Sequence, residues 1–145
     1  MIYTPLTKKA MKLMFEKHKD QADKSGIPYV FHPWHVAESM NDELSACTAL
    51  LHDIIEDTDT TLDDLKKMGF PEEVTEALSY LTHDRNTGYF DYVRNIAKNK
   101  IAAKVKLSDL EHNSDITRLD NVTEKDRNRI AKYNKAKEIL LSSQK

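Results

Sequence analysis

The chain has 145 residues and a formal net charge of −2 at pH 7, a size that fits one domain of about 100–200 residues. Apolar residues make up 39% and charged residues 32%, with only 3 Gly and 4 Pro, which excludes a disordered chain and disfavours folds built from strands and turns. Residues 25–37, the longest uncharged segment, are too short and polar to cross a bilayer, and the N-terminus lacks the apolar core of a signal peptide. From this composition we expect an all-α protein. The chain has one cysteine, Cys47, and so no intrachain disulfide, which fits a cytoplasmic protein.

Helix start and stop signals recur along the chain. Thr4-Pro5 is typical of an N-cap followed by proline, and predicts a first helix that continues to a stop near Ser25-Gly26. A short extended segment, Ile27–Phe31, follows. The other predicted helices run from Pro33 to Met40, Leu44 to Ile55, Thr61 to Gly69, Pro71 to Leu81, Tyr89 to Lys98, Ile101 to His112 and Thr123 to Leu141. The sequence therefore predicts one domain of about eight helices.

Charge is distributed unevenly between the two halves of the chain. No Lys or Arg occurs between Ser25 and Leu65, where there are nine Asp and Glu, whereas the segment from Arg94 onward has thirteen basic and seven acidic residues. Blocks of charge usually form solvated surface. An acidic segment that also contains His can instead bind a cation, and a basic segment can bind phosphate.

The third predicted helix is the most apolar, and it ends in acidic residues. Residues 46–51 are small or apolar, and they run directly into His52 and Asp53 and then Glu56 and Asp57. On a helix, His52 and Glu56 share a face, as do Asp53 and Asp57. Because a buried carboxylate is costly without a partner charge, and this segment has no Lys or Arg, a metal cation is the simplest partner. Imidazole with carboxylates suits Mn²⁺, Fe²⁺ or Zn²⁺ in an open site better than a closed structural zinc site.

Four short motifs occur in order along nearly the whole chain. They are His18-x-x-Gln21, Lys24-Ser25-Gly26-x-Pro28-Tyr29-x-x-His32-Pro33, His52-Asp53-x-x-Glu56-Asp57 and Val105-Lys106-Leu107-Ser108-Asp109-x-x-His112-Asn113. In this order and spacing they resemble the HD phosphohydrolase superfamily and, within it, the hydrolase domain of the stringent-response alarmone enzymes. The chain ends where bifunctional members would continue into a synthetase domain. The resemblance therefore implies a stand-alone small alarmone hydrolase over residues 1–145, an HD-domain helical bundle with a metal site between helices.

The resemblance also implies roles for individual residues. The implied ligands of one Mn²⁺, with Fe²⁺ or Zn²⁺ as possible alternatives, are His32, His52, Asp53 and Asp109. Glu56 and Asp57 match the family's catalytic acid pair, which positions and activates the attacking water. The implied substrate-binding residues are Lys24, Ser25, Asn113, Arg129 and Tyr133. The implied reaction removes the 3′-pyrophosphate from guanosine tetra- or pentaphosphate, with an ion that lowers the pKa of water and polarises a phosphoryl oxygen.

Two residues depart from the family pattern. Asp23 and Asp115 stand where many family members have Arg. Anions in place of cations near a polyanionic substrate can change what is bound, so Lys24, Lys106 and Arg129 are our candidates to compensate. Other basic residues that could neutralise phosphate are Lys98, Lys100 and Lys104.

Two alternatives to the alarmone hydrolase remain open. One is an HD phosphohydrolase that acts on another nucleotide or on a phosphorylated cofactor. The other is a non-catalytic metal- and nucleotide-binding regulatory module, which the presence of both Glu56 and Asp57 disfavours. We expect a nucleotide partner without nucleic-acid or membrane binding, since the basic residues are not interleaved with aromatic ones and the pI is about 6.3. The oligomeric state is left open.

The remaining histidines are expected to be structural. His18 falls on the apolar stripe of the first helix, where a hydrogen-bonded core histidine is the better interpretation. His35 lies three residues after His32 but does not match a ligand position of the family. His83 and His112 flank predicted turns.

Overall fold

Helices account for nearly all the regular structure in a computed structural model that describes residues 1–143. Within those residues there are nine α-helices and one 3₁₀ turn. The helices are α1 Pro5–His18, α2 Phe31–Glu38, α3 Glu43–Leu51, α4 Ile54–Asp57, α5 Leu62–Lys67, α6 Glu72–Leu81, α7 Tyr89–Ile96, α8 Lys100–Asn113 and α9 Glu124–Ser142, and the 3₁₀ turn is Ile116–Arg118. The only β-pairing over residues 1–143 is an isolated bridge between Ala22 and Pro28, so the all-α prediction is confirmed. The prediction of a single domain stays a prediction.

Helix α3 lies at the centre of the fold. It packs against α1, α2, α6 and α8, and every residue from Ser45 to Leu51 is buried. A helix that is apolar on all sides is stable only when other helices cover it completely. Its buried Thr48 hydroxyl donates to the Leu44 carbonyl at 2.8 Å, so the hydroxyl is satisfied within the helix. The C-terminal end of α3 is thereby held inside the protein, where the candidate ligands follow.

The predicted helix starts and stops are largely present. Thr4, Thr61 and Thr123 each form a capping box, which satisfies backbone N–H groups that the first helical turn leaves free. Gly69, with φ of +90°, ends α5 in the left-handed conformation that glycine adopts without strain. No helix within residues 1–143 is both long and apolar enough to cross a membrane.

The predicted extent of the first helix is wrong. Helix α1 ends at His18 rather than near Ser25, and the segment predicted as extended contributes only Pro28 to the isolated bridge. Asp23 explains part of the difference, because its Oδ1 accepts the N–H groups of Ser25 and Ile27 and stabilises a turn. The second helix also begins at Phe31, two residues before Pro33.

The predicted third helix is not continuous. It breaks between α3 and α4, where His52 caps α3 and Asp53 has φ of −104° and ψ of 1°. Of the two predicted pairs on one helix face, His52 and Glu56 are separated by this break. Asp53 and Asp57 lie on one turn, since the Asp57 N–H donates to the Asp53 carbonyl at 3.0 Å. The break allows the adjacent side chains of His52 and Asp53 to face the same point, with His52 Nε2 at 3.1 Å from Asp53 Oδ2.

We predict that Leu50→Ala lowers the free energy of unfolding by about 2–5 kcal/mol, because it removes methyl groups from the fully buried centre of α3. Leu141→Ala is the matched control, since the Leu141 side chain is 52% exposed on α9 and its loss should change stability little. Urea denaturation followed by circular dichroism measures both. Equal losses in the two variants would contradict the central role of α3.

Candidate metal centre and adjoining pocket

Four predicted ligands from three parts of the chain converge on one point. Each offers one ligand atom, and these atoms all lie within 4.8 Å of one another. The residues are His32 on α2, His52 and Asp53 at the break after α3, and Asp109 on α8. His32, His52 and Asp109 are buried and Asp53 is partly buried.

The orientation of His52 suits a metal ligand. Its Nδ1 lies 2.6 Å from the Ala49 carbonyl oxygen, to which a ring N–H can donate. That hydrogen bond assigns the proton to Nδ1 and leaves the Nε2 lone pair facing the carboxylates. In the metal-free site, burial lowers the pKa of His52, but the negative charges of Asp53 and Asp109 outweigh burial and raise this pKa well above its ordinary value. The two carboxylates thus favour a positive charge at this point, so the donor set fits a divalent metal.

His112 holds the other imidazole ligand. Its Nδ1 lies 2.7 Å from Nδ1 of His32, and the two rings stack with centroids 5.0 Å apart. Burial and the positive charge of Arg118 lower the pKa of His112 to about 4, so at neutral pH His112 can accept the proton of His32 Nδ1. The Nε2 of His32 is then free to face Asp109 Oδ1 at 2.9 Å. Sequence reasoning assigned His112 to a turn and missed this supporting contact.

Asp109 is the most heavily contacted carboxylate of the group. Its Oδ1 also accepts a hydrogen bond from Asn113 Nδ2 at 2.9 Å, and its Oδ2 pairs with Lys106 Nζ at 2.9 Å. Although burial raises the pKa of Asp109, Lys106 and the two histidines lower it well below the ordinary value. Lys106 is therefore engaged as the partner of a candidate ligand, and its side chain is only 15% exposed. This corrects our choice of Lys106 as a cation free to compensate in the substrate pocket.

Tyr29 supports the fourth candidate ligand. Its hydroxyl donates a hydrogen bond to Asp53 Oδ2. Burial raises the pKa of Asp53, but the charge of His52 and the hydrogen bonds from His52 and Tyr29 outweigh burial and lower this pKa to about 2. Tyr29 occurs in one of the sequence motifs, but nothing in the residue pattern alone predicts this contact.

The predicted catalytic acids, Glu56 and Asp57, are exposed. They lie beside the four candidate ligands, which we call the metal group. The Glu56 carboxylate accepts a hydrogen bond from the backbone N–H of His83, which fixes its direction. Partial burial raises the pKa of Asp57, and the negative charges of Asp53 and Glu56 raise it further. The Gln21 side chain donates to the Asp57 carbonyl at 3.2 Å and is hydrogen-bonded to His18. His18 is buried, which confirms its expected position in the core.

A surface pocket adjoins the metal group through Asn113. All five predicted substrate-binding residues line this pocket, and both departures from the family pattern do as well. The lining residues are Asp23, Lys24, Ser25, Asn113, Asp115, Arg118, Leu119, Asp126, Arg129, Ile130 and Tyr133. Their roles in binding stay predictions, but the structure brings together residues that are far apart in the sequence.

Acidic residues accompany the cations of this pocket. Lys24 and Arg129 both contact Asp126 Oδ1, at 3.3 and 3.4 Å, and Arg118 lies 3.7 Å from Asp23 Oδ2. The sequence analysis missed Asp126 and Arg118, although Asp126 could have been found as the acid of the Thr123 capping box. The other basic candidates lie elsewhere: Lys104 pairs with Asp42, and neither Lys98 nor Lys100 lines the pocket.

Known proteins resemble the chain in both sequence and fold. A guanosine-3′,5′-bis(diphosphate) 3′-pyrophosphohydrolase of Aquifex aeolicus is 33% identical over 126 residues, which cover 79% of this chain and 17% of that protein. The human guanosine-3′,5′-bis(diphosphate) 3′-pyrophosphohydrolase MESH1 is 38% identical over 77 residues, 48% of this chain and 42% of that protein. The chain is related to the alarmone hydrolases. The resemblance inferred from the four motifs is thereby confirmed.

The chain is also similar to a solved structure and to a relative with a different name. The structure, described as a metazoan ortholog of SpoT that hydrolyzes ppGpp, covers 99% of this chain with a TM-score of 0.76 at 24% identity, which shows a common fold. A GTP pyrophosphokinase of Myxococcus xanthus is 32% identical over 144 residues, 87% of this chain and 19% of that protein. The chain therefore spans less than half the length of each curated relative named here. No family model matches the chain.

We predict that His52→Ala and Asp53→Ala each abolish stoichiometric binding of a divalent metal, because each removes one of four converging ligand atoms. His35→Ala is the control, since His35 lies on the same helix as His32 but is not part of the converging group. Elemental analysis of the purified proteins measures metal content. Full occupancy in both ligand variants would show that the assignment is wrong.

We also predict that Glu56→Gln lowers the pKa of Asp57 in the metal-free protein, since it removes a negative charge that raises this pKa. Asp57 should titrate above the ordinary aspartate range in the wild type and closer to it in the variant. Carbon-13 NMR of the side-chain carboxyl groups measures the shift. Asp59→Asn, a change in an exposed acid of the same segment, should leave the Asp57 titration in place.

Proposed function

We propose that this chain is a metal-dependent 3′-pyrophosphohydrolase of guanosine 3′,5′-bis(diphosphate). Water adds to the phosphorus of the 3′-diphosphate, the P–O bond to the ribose-linked oxygen breaks, and guanosine 5′-diphosphate and pyrophosphate leave. The pentaphosphate form would react in the same way. The relatives named for this activity support the substrate.

The observation that carries the proposal is the position of Asn113. Its side chain donates to the candidate ligand Asp109 and also lines the adjoining pocket. A nucleotide in the pocket would therefore lie next to the metal group, with the Asn113 side chain between them. Metal chemistry and a pocket lined by charged side chains, on opposite sides of one side chain, fit hydrolysis of a phosphate ester better than a purely structural metal site.

The ligand set would hold one divalent ion, which we propose to be Mn²⁺. His32, His52, Asp53 and Asp109 supply two imidazoles and two carboxylates, a set suited to Mn²⁺, Fe²⁺ or Zn²⁺. When bound, such an ion lowers the pKa of water and polarises a phosphoryl oxygen. Lys106 balances the charge of Asp109 from behind, so that the group can stay buried.

Glu56 and Asp57 would manage the proton of the attacking water. Asp57 lies one turn after the candidate ligand Asp53, where its carboxylate would accept the proton as a general base. Glu56, directed by the His83 N–H, would orient the water by accepting one of its hydrogen bonds. The presence of both carboxylates at the edge of the metal group disfavours a non-catalytic regulatory module.

A second candidate function is hydrolysis of a less highly charged nucleotide or phosphorylated cofactor. The observation that favours it is the pairing of pocket cations with acids, Arg118 with Asp23 and both Lys24 and Arg129 with Asp126. Cations already paired attract a polyanion less strongly than free ones. The two candidates share the metal chemistry and differ only in substrate.

The deciding experiment is a hydrolysis panel with metal-stripped protein and each divalent ion added back. We expect pyrophosphate release from guanosine 3′,5′-bis(diphosphate), fastest with Mn²⁺. Faster phosphate release from a 3′-phosphorylated mononucleotide would favour the second candidate. No hydrolysis of any nucleotide or phosphorylated cofactor on the panel, together with stoichiometric metal binding, would contradict both.

We predict that Glu56→Gln and Asp57→Asn each lower kcat by about 10²–10⁴-fold while substrate binding is retained, because each amide keeps the shape of the side chain but loses its ability to accept a proton. Asp59→Asn is the control, since Asp59 is an exposed acid paired with Lys17. Single-turnover kinetics and equilibrium binding separate the two effects. Turnover near the wild-type rate in either amide variant would show that this residue has another role.

A further inference from the structure

Arg118 occupies the junction between the pocket and the metal group. Its Nη1 donates to the His112 carbonyl at 2.9 Å and to Asn113 Oδ1 at 3.2 Å. Asn113 in turn donates to the candidate ligand Asp109 at 2.9 Å. The Arg118 side chain lines the pocket and is 23% exposed, so its guanidinium is held from one side and reachable from the other.

The other cations near the metal group have closer acidic partners than Arg118 has. Lys106 pairs with Asp109, and its side chain is 15% exposed. Lys24 and Arg129 share the same oxygen of the buried Asp126. Arg118 has the weakest acidic contact of these cations, with Nη2 at 3.7 Å from Asp23 Oδ2, beyond hydrogen-bond distance.

The two acids that depart from the family pattern support the position of Arg118. Asp115 caps the 3₁₀ turn that carries Arg118, since its Oδ1 accepts the Thr117 N–H at 3.0 Å. Asp23 uses Oδ1 for loop amides and presents Oδ2 to the guanidinium. Ser25 Oγ donates to the Arg118 carbonyl at 2.7 Å, which joins this loop to the turn. Asp23, Asp115 and Arg118 are therefore one structural unit, in which the acids fix where the cation lies.

We propose that Arg118 is a substrate-binding residue that binds a phosphate group away from the metal, and that Asp23 holds the guanidinium in place until phosphate replaces it. The inference rests on the proposed function and adds the residue that recognises the second phosphate group. Guanidinium binds phosphate through paired N–H donors, and Nη2 is free to turn from Asp23 toward a ligand. The acid at position 23 then competes with the substrate, which lowers affinity without blocking the site.

Arg118→Gln tests the contact with phosphate. Gln keeps a polar side chain with N–H donors but carries no charge. We expect KM for guanosine 3′,5′-bis(diphosphate) to rise about 10- to 100-fold, the range for a lost charge-assisted hydrogen bond, with kcat little changed. Arg127→Gln is the matched control, because it removes the same charge from an exposed position of α9 outside the pocket lining.

Asp23→Asn tests the competition. Asn keeps an oxygen for the Ser25 and Ile27 amides, which Asp23→Arg would not, and it removes the negative charge that faces Arg118. We expect KM to fall in the wild-type background and to change little in the Arg118→Gln background. An equal effect of Asp23→Asn in both backgrounds would mean that Asp23 acts on the substrate without Arg118.

Binding of guanosine 5′-diphosphate, measured by calorimetry, separates this inference from the proposed reaction. This probe has no 3′-diphosphate, so its affinity is independent of hydrolysis. Weaker binding to Arg118→Gln than to Arg127→Gln supports the inference even if the wild type releases no pyrophosphate. Equal binding by the two variants, or no binding of the probe by the wild type, overturns it.

Discussion

The structure depends on a buried carboxylate, that of Asp109, and on the charges that compensate it. Two imidazoles and an amide contact Oδ1 and an ammonium group contacts Oδ2, so neither oxygen is left without a partner. Removing any one of these partners would leave a desolvated charge in the interior, which costs more than the contact itself contributes. This requirement fixes the relative positions of α2, α8 and the end of α3, since each supplies one of the partners.

The break after α3 is the second constraint. On an unbroken helix, neighbouring side chains diverge by about 100°, because there are 3.6 residues per turn. The change of backbone direction at Asp53 brings two consecutive residues to one point, so that the chain provides two ligands without a second long-range contact. The fully buried helix before the break makes this local geometry rigid, since α3 is covered by four other helices.

The sequence predicts the helical class and the metal group because these depend on strong, short-range signals. Capping threonines, a turn glycine and apolar periodicity mark helix ends, and the four ligands lie in ordered motifs. The end of α1 was missed because the Asp23 side chain accepts two amides of its own loop, which stabilises a turn in place of further helix. The break after α3 was missed because residues 51–57 contain neither Gly nor Pro to mark it. His112, Arg118 and Asp126 were missed because their partners are distant in the sequence. His32 lies 80 residues from His112, and Lys24 lies 102 residues from Asp126. The partner of Arg118 is Asp23. A charge pattern in one dimension shows which residues are cations but not which of them are already neutralised.

Asn113 would couple the affinity of the protein for an ion to its affinity for a nucleotide. One end of its amide contacts Asp109 and the other accepts from Arg118, so a single rigid planar group joins the two halves of the site. An ion that draws Asp109 toward itself would move this amide, and so would a nucleotide that draws Arg118. Thermodynamic linkage then requires reciprocity: whatever factor the metal contributes to nucleotide affinity, the nucleotide contributes to metal affinity. If the protein binds both, the nucleotide concentration in the surroundings would be one of the variables that set how firmly the ion is held.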